Sequence, residues 1–147
     1  MYERILVPTD GSPAAEAAVE QAVSLAAQYD ATIHALYIVD TSAYSTLEAG
    51  AEVIINALED EGEKAVGDIA AAAADADVEA ETTVTAGTAY RSILGYVDDH
   101  DIDLVVMGTH GRRGLDRYLL GSVTERIVRT ATVPVLTVRQ QKEEDEA

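Results

Sequence analysis

Five short strand-like runs constrain how this chain can fold. They are Ile5–Val7, Ala31–Val39, Val78–Val84, Leu104–Met107 and Val133–Val138, and a segment with helical spacing of apolar residues separates each from the next. Ile5–Val7 and Leu104–Met107 are continuously apolar, as strands are when both faces are covered. Val78–Val84 alternates Val78, Ala80, Thr82 and Val84 with polar residues, which predicts an edge strand with one wet face. The order β-α-β-α-β-α-β-α-β predicts an α/β domain with right-handed crossovers, one parallel sheet and helices on both faces. In such sheets ligands bind at the carboxyl ends of strands, where the strand order reverses. Two loops fall at such ends, Thr9–Ser12 and Gly108–Gly121. No internal repeat is present.

Local signals delimit the helices. Ser12 is a good N-cap and Pro13 suits the first helical position. The alanine-rich stretch that follows predicts close packing on a sheet, ending at Asp30. Asp40–Thr46 reads as a polar loop, with Thr46 capping a long helix to about Ala74. Gly62 and Gly67 weaken that helix by roughly 0.5–1 kcal/mol each relative to Ala. A shorter helix is predicted over Ala89–Asp99, and a last one from near Val123 to Thr130 with Ser122 as its cap. Pro134 cannot donate to a ladder, so it belongs at a strand start or an edge. Residues 1–139 form one predicted domain. The acidic, polar stretch 140–147 is predicted to be disordered.

Composition narrows the function classes. The 147 residues suit a domain that buries roughly 68–70% of its unfolded surface. With no Phe and no Trp, the core must come from Val, Ile, Leu and Ala. With no Cys, disulfides, thiolate metal sites and a Cys nucleophile are ruled out. The sequence has no long uncharged apolar run, and its start passes into a strand without a leader pattern, so a cytoplasmic location is expected. A net charge of −17 argues against unspecific binding to nucleic acid or anionic membrane. The only lysines are Lys64 and Lys142, and an acid-rich, lysine-poor surface suits life in concentrated salt, where self-repulsion is screened.

Positive charge is concentrated after the fourth strand. Arg112, Arg113, Arg117, Arg126 and Arg129 fall between residues 108 and 130 with only Asp116 and Glu125 to oppose them, a local net of +3. Gly108, Gly111, Gly114 and Gly121 lie in the same window, and Ser122 follows at the helix start. A strand, a glycine-rich loop and a helix N-terminus together favour an anion, because free N–H groups and the helix dipole converge. The loop is neither a P-loop nor the Gly-x-Gly-x-x-Gly dinucleotide fingerprint. Ordinary chain reversal also uses such glycines. Arg126 and Arg129 also suit solvated positions near a helix C-terminus.

The spacing Gly108-x-x-Gly111, nine residues, Gly121-Ser122, with Thr109-His110 inside it, resembles the nucleotide-binding motif of the universal stress protein family. Arg4–Ser12, Tyr37–Asp40 and Val133–Leu136 extend the resemblance over nearly the whole chain. It implies a Rossmann-like fold of the adenine nucleotide alpha hydrolase type with strand order 3-2-1-4-5. It also implies an ATP-binding stress-response regulator, with ADP or AMP as alternative ligands and Mg accompanying the nucleotide. The partner it implies is a second copy, paired through the last strand, Val133–Val138. On this resemblance Pro8, Thr9 and Asp10 would line the cleft, and Val39 would meet the adenine largely through its backbone. Met107, Gly108, Thr109, His110, Gly111, Arg112, Arg113 and Gly114 would wrap the ribose and phosphates. Gly121, Ser122, Val123 and Thr124 would hold phosphates with N–H and hydroxyl groups.

Asp10 has two readings, as a Mg ligand against phosphates or as a turn former bonding local N–H groups. His110 is either a phosphate contact or an exposed loop residue. His34 and His100 read as structural or solvated, and three scattered histidines give no metal site by spacing. A phosphoryl-transfer enzyme needs a group to orient its nucleophile, and none is evident, so the expectation is binding without turnover. A slow ATPase or adenylate-processing enzyme and a ligand-free dimeric module are the alternatives.

Overall fold

The computed structural model describes residues 1–41, 50–109 and 121–140. In chain order the elements are β1 (Arg4–Thr9), α1 (Pro13–Tyr29), β2 (Thr32–Asp40), α2 (Ala51–Asp75), β3 (Ala80–Gly87), α3 (Ala89–Asp99), β4 (Leu104–Gly108), α4 (Ser122–Thr130) and β5 (Val135–Val138). The sheet order is β3-β2-β1-β4-β5, and every pairing is parallel. This is the α/β class predicted, with the strand order that the resemblance implied.

The three inner strands show why helices must cover both faces. Ile5 and Val7 of β1 join one core cluster and Leu6 joins the other. β4 repeats this, with Leu104 and Val106 on one side and Val105 and Met107 opposite. In β2, Ile33, Ala35, Tyr37 and Val39 share the first cluster and Leu36 the second. Side chains alternate with period two, so two apolar faces need two layers of cover. α1 and α2 supply the first layer, and α3 and α4 the second. The buried residues of α1 are all alanines (Ala14, Ala15, Ala18, Ala22 and Ala26), which lets that helix approach the sheet closely. Gly62 does the same at one point of α2: a Cβ there would stand 2.6 Å from a ring carbon of Tyr37.

Element ends follow the predicted signals with local corrections. Ser12 caps α1, its hydroxyl accepting from the Ala15 N–H at 3.3 Å. Val78 does not open β3; its N–H donates to the Ala73 carbonyl at 2.8 Å, closing the end of α2, after Asp77 turns with φ 60°. β3 is an edge strand as expected, pairing with β2. β5 starts at Val135 rather than Val133, and the Pro134 carbonyl accepts from the Val105 N–H just before it. Thr46, expected to cap α2, lies outside the described residues, as do residues 141–147 of the tail; the described helix starts after Gly50 at φ 94°.

Candidate functional site

Between β1 and β4 the connections run off in opposite directions, so the order reverses there. β1 stays in register with β2 from Arg4↔Thr32 to Thr9↔Tyr37. Its register with β4 covers only Ile5↔Leu104 and Leu6↔Val105. The carboxyl-terminal halves of β1 and β4 thus border a crevice, with the start of α1 on one face of the sheet and the start of α4 on the other.

On the β1 side the chain turns through a series of local bonds. Thr9 Oγ1 accepts from the Gly11 N–H at 3.0 Å. Asp10 Oδ1 accepts from the Ser12 N–H at 2.9 Å, and Gly11 takes φ 80°, a value glycine tolerates without strain. The turn-forming role of Asp10 is therefore observed for one carboxylate oxygen. Pro8 is buried, and Thr9 and Asp10 are half-buried. The Val39 side chain is only 1% exposed, so its backbone is what β2 can offer a ligand.

On the β4 side the backbone is fixed at four points. Gly108 lies against α1, where a Cβ would come within 2.8 Å of the Ala14 carbonyl oxygen. Thr109 donates its N–H to the Val138 carbonyl at 3.0 Å, and its own carbonyl accepts from the Gly121 N–H at 2.8 Å. The chain thus leaves the sheet and returns to α4 at one place. Thr124, buried in α4, donates its hydroxyl to the Gly108 carbonyl at 2.8 Å. That proton is not available to a phosphate.

Ser122 is not the cap of α4. Gly121 holds the cap position with extended backbone (φ −62°, ψ 156°), and Ser122 is the first helical residue, exposed to solvent. The bond from Gly121 to Thr109 fixes where the helix begins and moves Ser122 inside it. Helix geometry leaves the N–H groups of Ser122, Val123 and Thr124 without intrahelical acceptors, at the positive end of the dipole. Met107 is buried in the α3–α4 core. His110, Gly111, Arg112, Arg113 and Gly114 lie outside the described residues. Of the predicted residues, the fold therefore gathers Pro8–Asp10, Val39, Met107–Thr109 and Gly121–Thr124 at the carboxyl end of the sheet.

Among the described residues no group of three or more His, Asp or Glu could hold a metal. His34 is buried, with Nδ1 2.7 Å from the Tyr96 hydroxyl, and the Tyr96 ring stacks on His100 at 3.7 Å. These two histidines are structural, as expected. The sequence reading missed the Thr124–Gly108 tie and an exposed contact between α3 and α4, in which Arg126 lies over the Tyr90 ring at 4.1 Å. Neither has a local signature.

No described helix is long and apolar enough to cross a membrane. The chain is 37% identical, over 98% of its length and 86% of the relative's, to a universal stress protein of Methanocaldococcus jannaschii. Among solved structures, the universal stress protein UspA of Lactobacillus plantarum matches with a TM-score of 0.87 and 33% identity, covering 94% of this chain and 98% of that one. A universal stress protein in complex with cAMP matches with a TM-score of 0.67 and 25% identity, covering 95% of this chain and 98% of that one. The sequence model of the Universal stress protein family matches residues 1–139. A switch point bordered by the carboxyl ends of β1 and β4, on a fold shared from end to end with these proteins, leads to one assignment: the chain belongs to the universal stress protein family.

Proposed function

We propose that this protein binds an adenine nucleotide, ATP foremost, in the crevice between the carboxyl ends of β1 and β4, and acts as a dimeric, cytoplasmic stress-response regulator rather than a catalyst. The observation that carries this reading is the clamped start of α4. Thr109–Gly121 and Thr124–Gly108 hold the helix N-terminus beside the crevice, and the N–H groups of Ser122, Val123 and Thr124 have no helical acceptor. A related structure that carries cAMP supports the adenine-nucleotide class. Pro8, Thr9 and Asp10 would face the ribose and any Mg, whose coordination needs few protein carboxylates when phosphates share it. Binding rather than turnover is supported by the local bonds of the crevice's polar groups, which hold turns in shape.

For the dimer, the support is β5. Among the described residues it is the last strand of the sheet, and its Leu136 is 37% exposed. Light scattering after size exclusion tests that part. Titration calorimetry with ATP, ADP and AMP tests the nucleotide reading: saturable binding in the micromolar range is expected, with ATP recovered unhydrolysed. Absence of heat with all three would overturn it, and steady release of ADP or pyrophosphate would replace the regulator with an enzyme.

A further inference from the structure

On the outer side of α3 and α4, two arginines converge on one phenol. Arg91 donates Nε to Tyr90 Oη at 3.1 Å, and Arg126 donates Nη2 to the same oxygen at 3.3 Å. The Arg126 guanidinium also stacks on the Tyr90 ring at 4.1 Å. The phenol therefore aims both guanidiniums while leaving each with unused N–H donors. In agreement, the Tyr90 hydroxyl titrates below the ordinary phenol range, first because Arg91 hydrogen-bonds to it and further because of the Arg126 charge.

Two exposed guanidiniums held side by side are unexpected in a chain of net charge −17. Among the described residues neither pairs with a carboxylate, although Arg129 pairs with Glu125 at 3.5 Å and Lys64 with Asp68 at 3.3 Å. Helix spacing offers no acid either. Three and four residues from Arg91 lie Gly87, Thr88, Leu94 and Gly95, and around Arg126 lie Ser122, Val123, Arg129 and Thr130. Acids are plentiful in this chain but absent at these positions. The placement is also informative. Tyr90 is in the first turn of α3, which starts just past the carboxyl end of β3. Arg126 lies one turn along α4 from Ser122 on the same stripe, and helical side chains lean toward the N-terminus.

We infer that Arg91, Tyr90 and Arg126 form a second anion subsite that takes a phosphate dianion, supplied either by the terminal phosphate of a crevice-bound nucleotide or by free inorganic phosphate or pyrophosphate. Two forked donors match the charge and oxygen count of a phosphate, whereas a single carboxylate satisfies only one fork. Calorimetry on the full chain at low ionic strength, with pyrophosphate, ATP and AMP, tests this on wild type and on Arg91→Gln/Arg126→Gln, which keeps much of the side-chain stems that pack on the surface. Wild type is expected to bind pyrophosphate, and the double variant to bind it about tenfold more weakly or worse. If the source is the nucleotide, the variant weakens ATP and leaves AMP unchanged. If the source is free phosphate, pyrophosphate binds alongside saturating ATP and only its own affinity falls. Equal pyrophosphate affinity in both proteins with an unchanged ATP-to-AMP ratio overturns the subsite, and so does a wild type that ignores pyrophosphate while that ratio stays constant. Those results would leave AMP binding in the crevice intact. Pyrophosphate binding lost in the variant, with no binding of any adenine nucleotide, would instead keep the subsite and remove the nucleotide reading. Tyr90→Phe retains both charges but frees them from Oη, and an intermediate loss is expected.

Discussion

Gly62 and Gly67 occupy the same helix, yet they differ in what surrounds them. A Cβ on Gly62 would press on the buried Tyr37 ring at 2.6 Å, whereas one on Gly67 meets nothing within 4 Å. Gly67→Ala should therefore stabilise the protein by about 0.5–1 kcal/mol through helix propensity. Gly62→Ala should destabilise it by about 1–3 kcal/mol through overpacking, despite the same propensity gain. Urea midpoints of the two variants check this, and the opposite order would refute the packing account. His34 couples stability to pH. Burial holds its pKa below the ordinary value, with His100 and Arg4 adding to the effect and Glu81 opposing it. The unfolded chain then takes up the proton first, so stability from this residue is complete above about pH 6.5 and is lost as the pH falls toward the folded pKa. Denaturation of wild type and His34→Gln should show wild type losing more stability between neutral and mildly acidic pH. Parallel curves would mean the neutral form is not favoured by the fold.

At the scale of elements, α4 is the part whose exact start matters. Its first turn is set by a strand–loop contact, Thr109 to Gly121, and by the Thr124 hydroxyl on Gly108. Ser122 at the first helical position can be replaced by Pro, whose ring suits that position and the extended backbone of Gly121 before it. Ser122→Pro should thus leave the melting temperature nearly unchanged. It removes one N–H and one hydroxyl from the proposed phosphate contact, so nucleotide affinity should fall about tenfold. Ser122→Ala, which keeps the N–H, should lose less. Wild-type affinity in both variants would take the start of α4 out of the site.

Over the whole molecule, self-repulsion dominates. The net charge is −17, and the described ion pairs are surface pairs such as Lys64–Asp68 and Arg129–Glu125, each worth roughly 0–1 kcal/mol. Raising salt shortens the screening length from about 10 Å at 0.1 M to about 3 Å at 1 M. The fold should therefore gain stability as KCl rises from millimolar to molar. Thermal melts across that series check it, and a flat or falling melting temperature would remove the expectation of adaptation to salt. Phosphate contacts made through arginines should weaken over the same range, leaving backbone N–H groups as the durable part of any anion site.

The succession of elements was legible in the sequence because periodicity belongs to a single segment against a generic core. Ile5–Val7 and Leu104–Met107 read as doubly covered strands, Ser12 as a cap and Val78–Val84 as an edge, and the parallel sheet followed. The Gly108–Ser122 spacing was legible as well, since a motif is local by definition. Ser122 as a cap was misread because the start of α4 is fixed by Gly121 bonding to Thr109, a contact across a loop. In the same way, no spacing distinguishes Gly62 from Gly67, or announces that Thr124 holds Gly108 or that Arg126 covers Tyr90. Such contacts join segments far apart in the chain, and only the crossing of helices over the sheet decides which side chains meet. By itself the sequence determined the strands, the helices, their order and the glycine-rich connection that follows β4. The tertiary structure alone decided which groups there are bonded within the fold, as the Thr124 hydroxyl is to Gly108, because those bonds join segments that only the packing of helices on the sheet brings together.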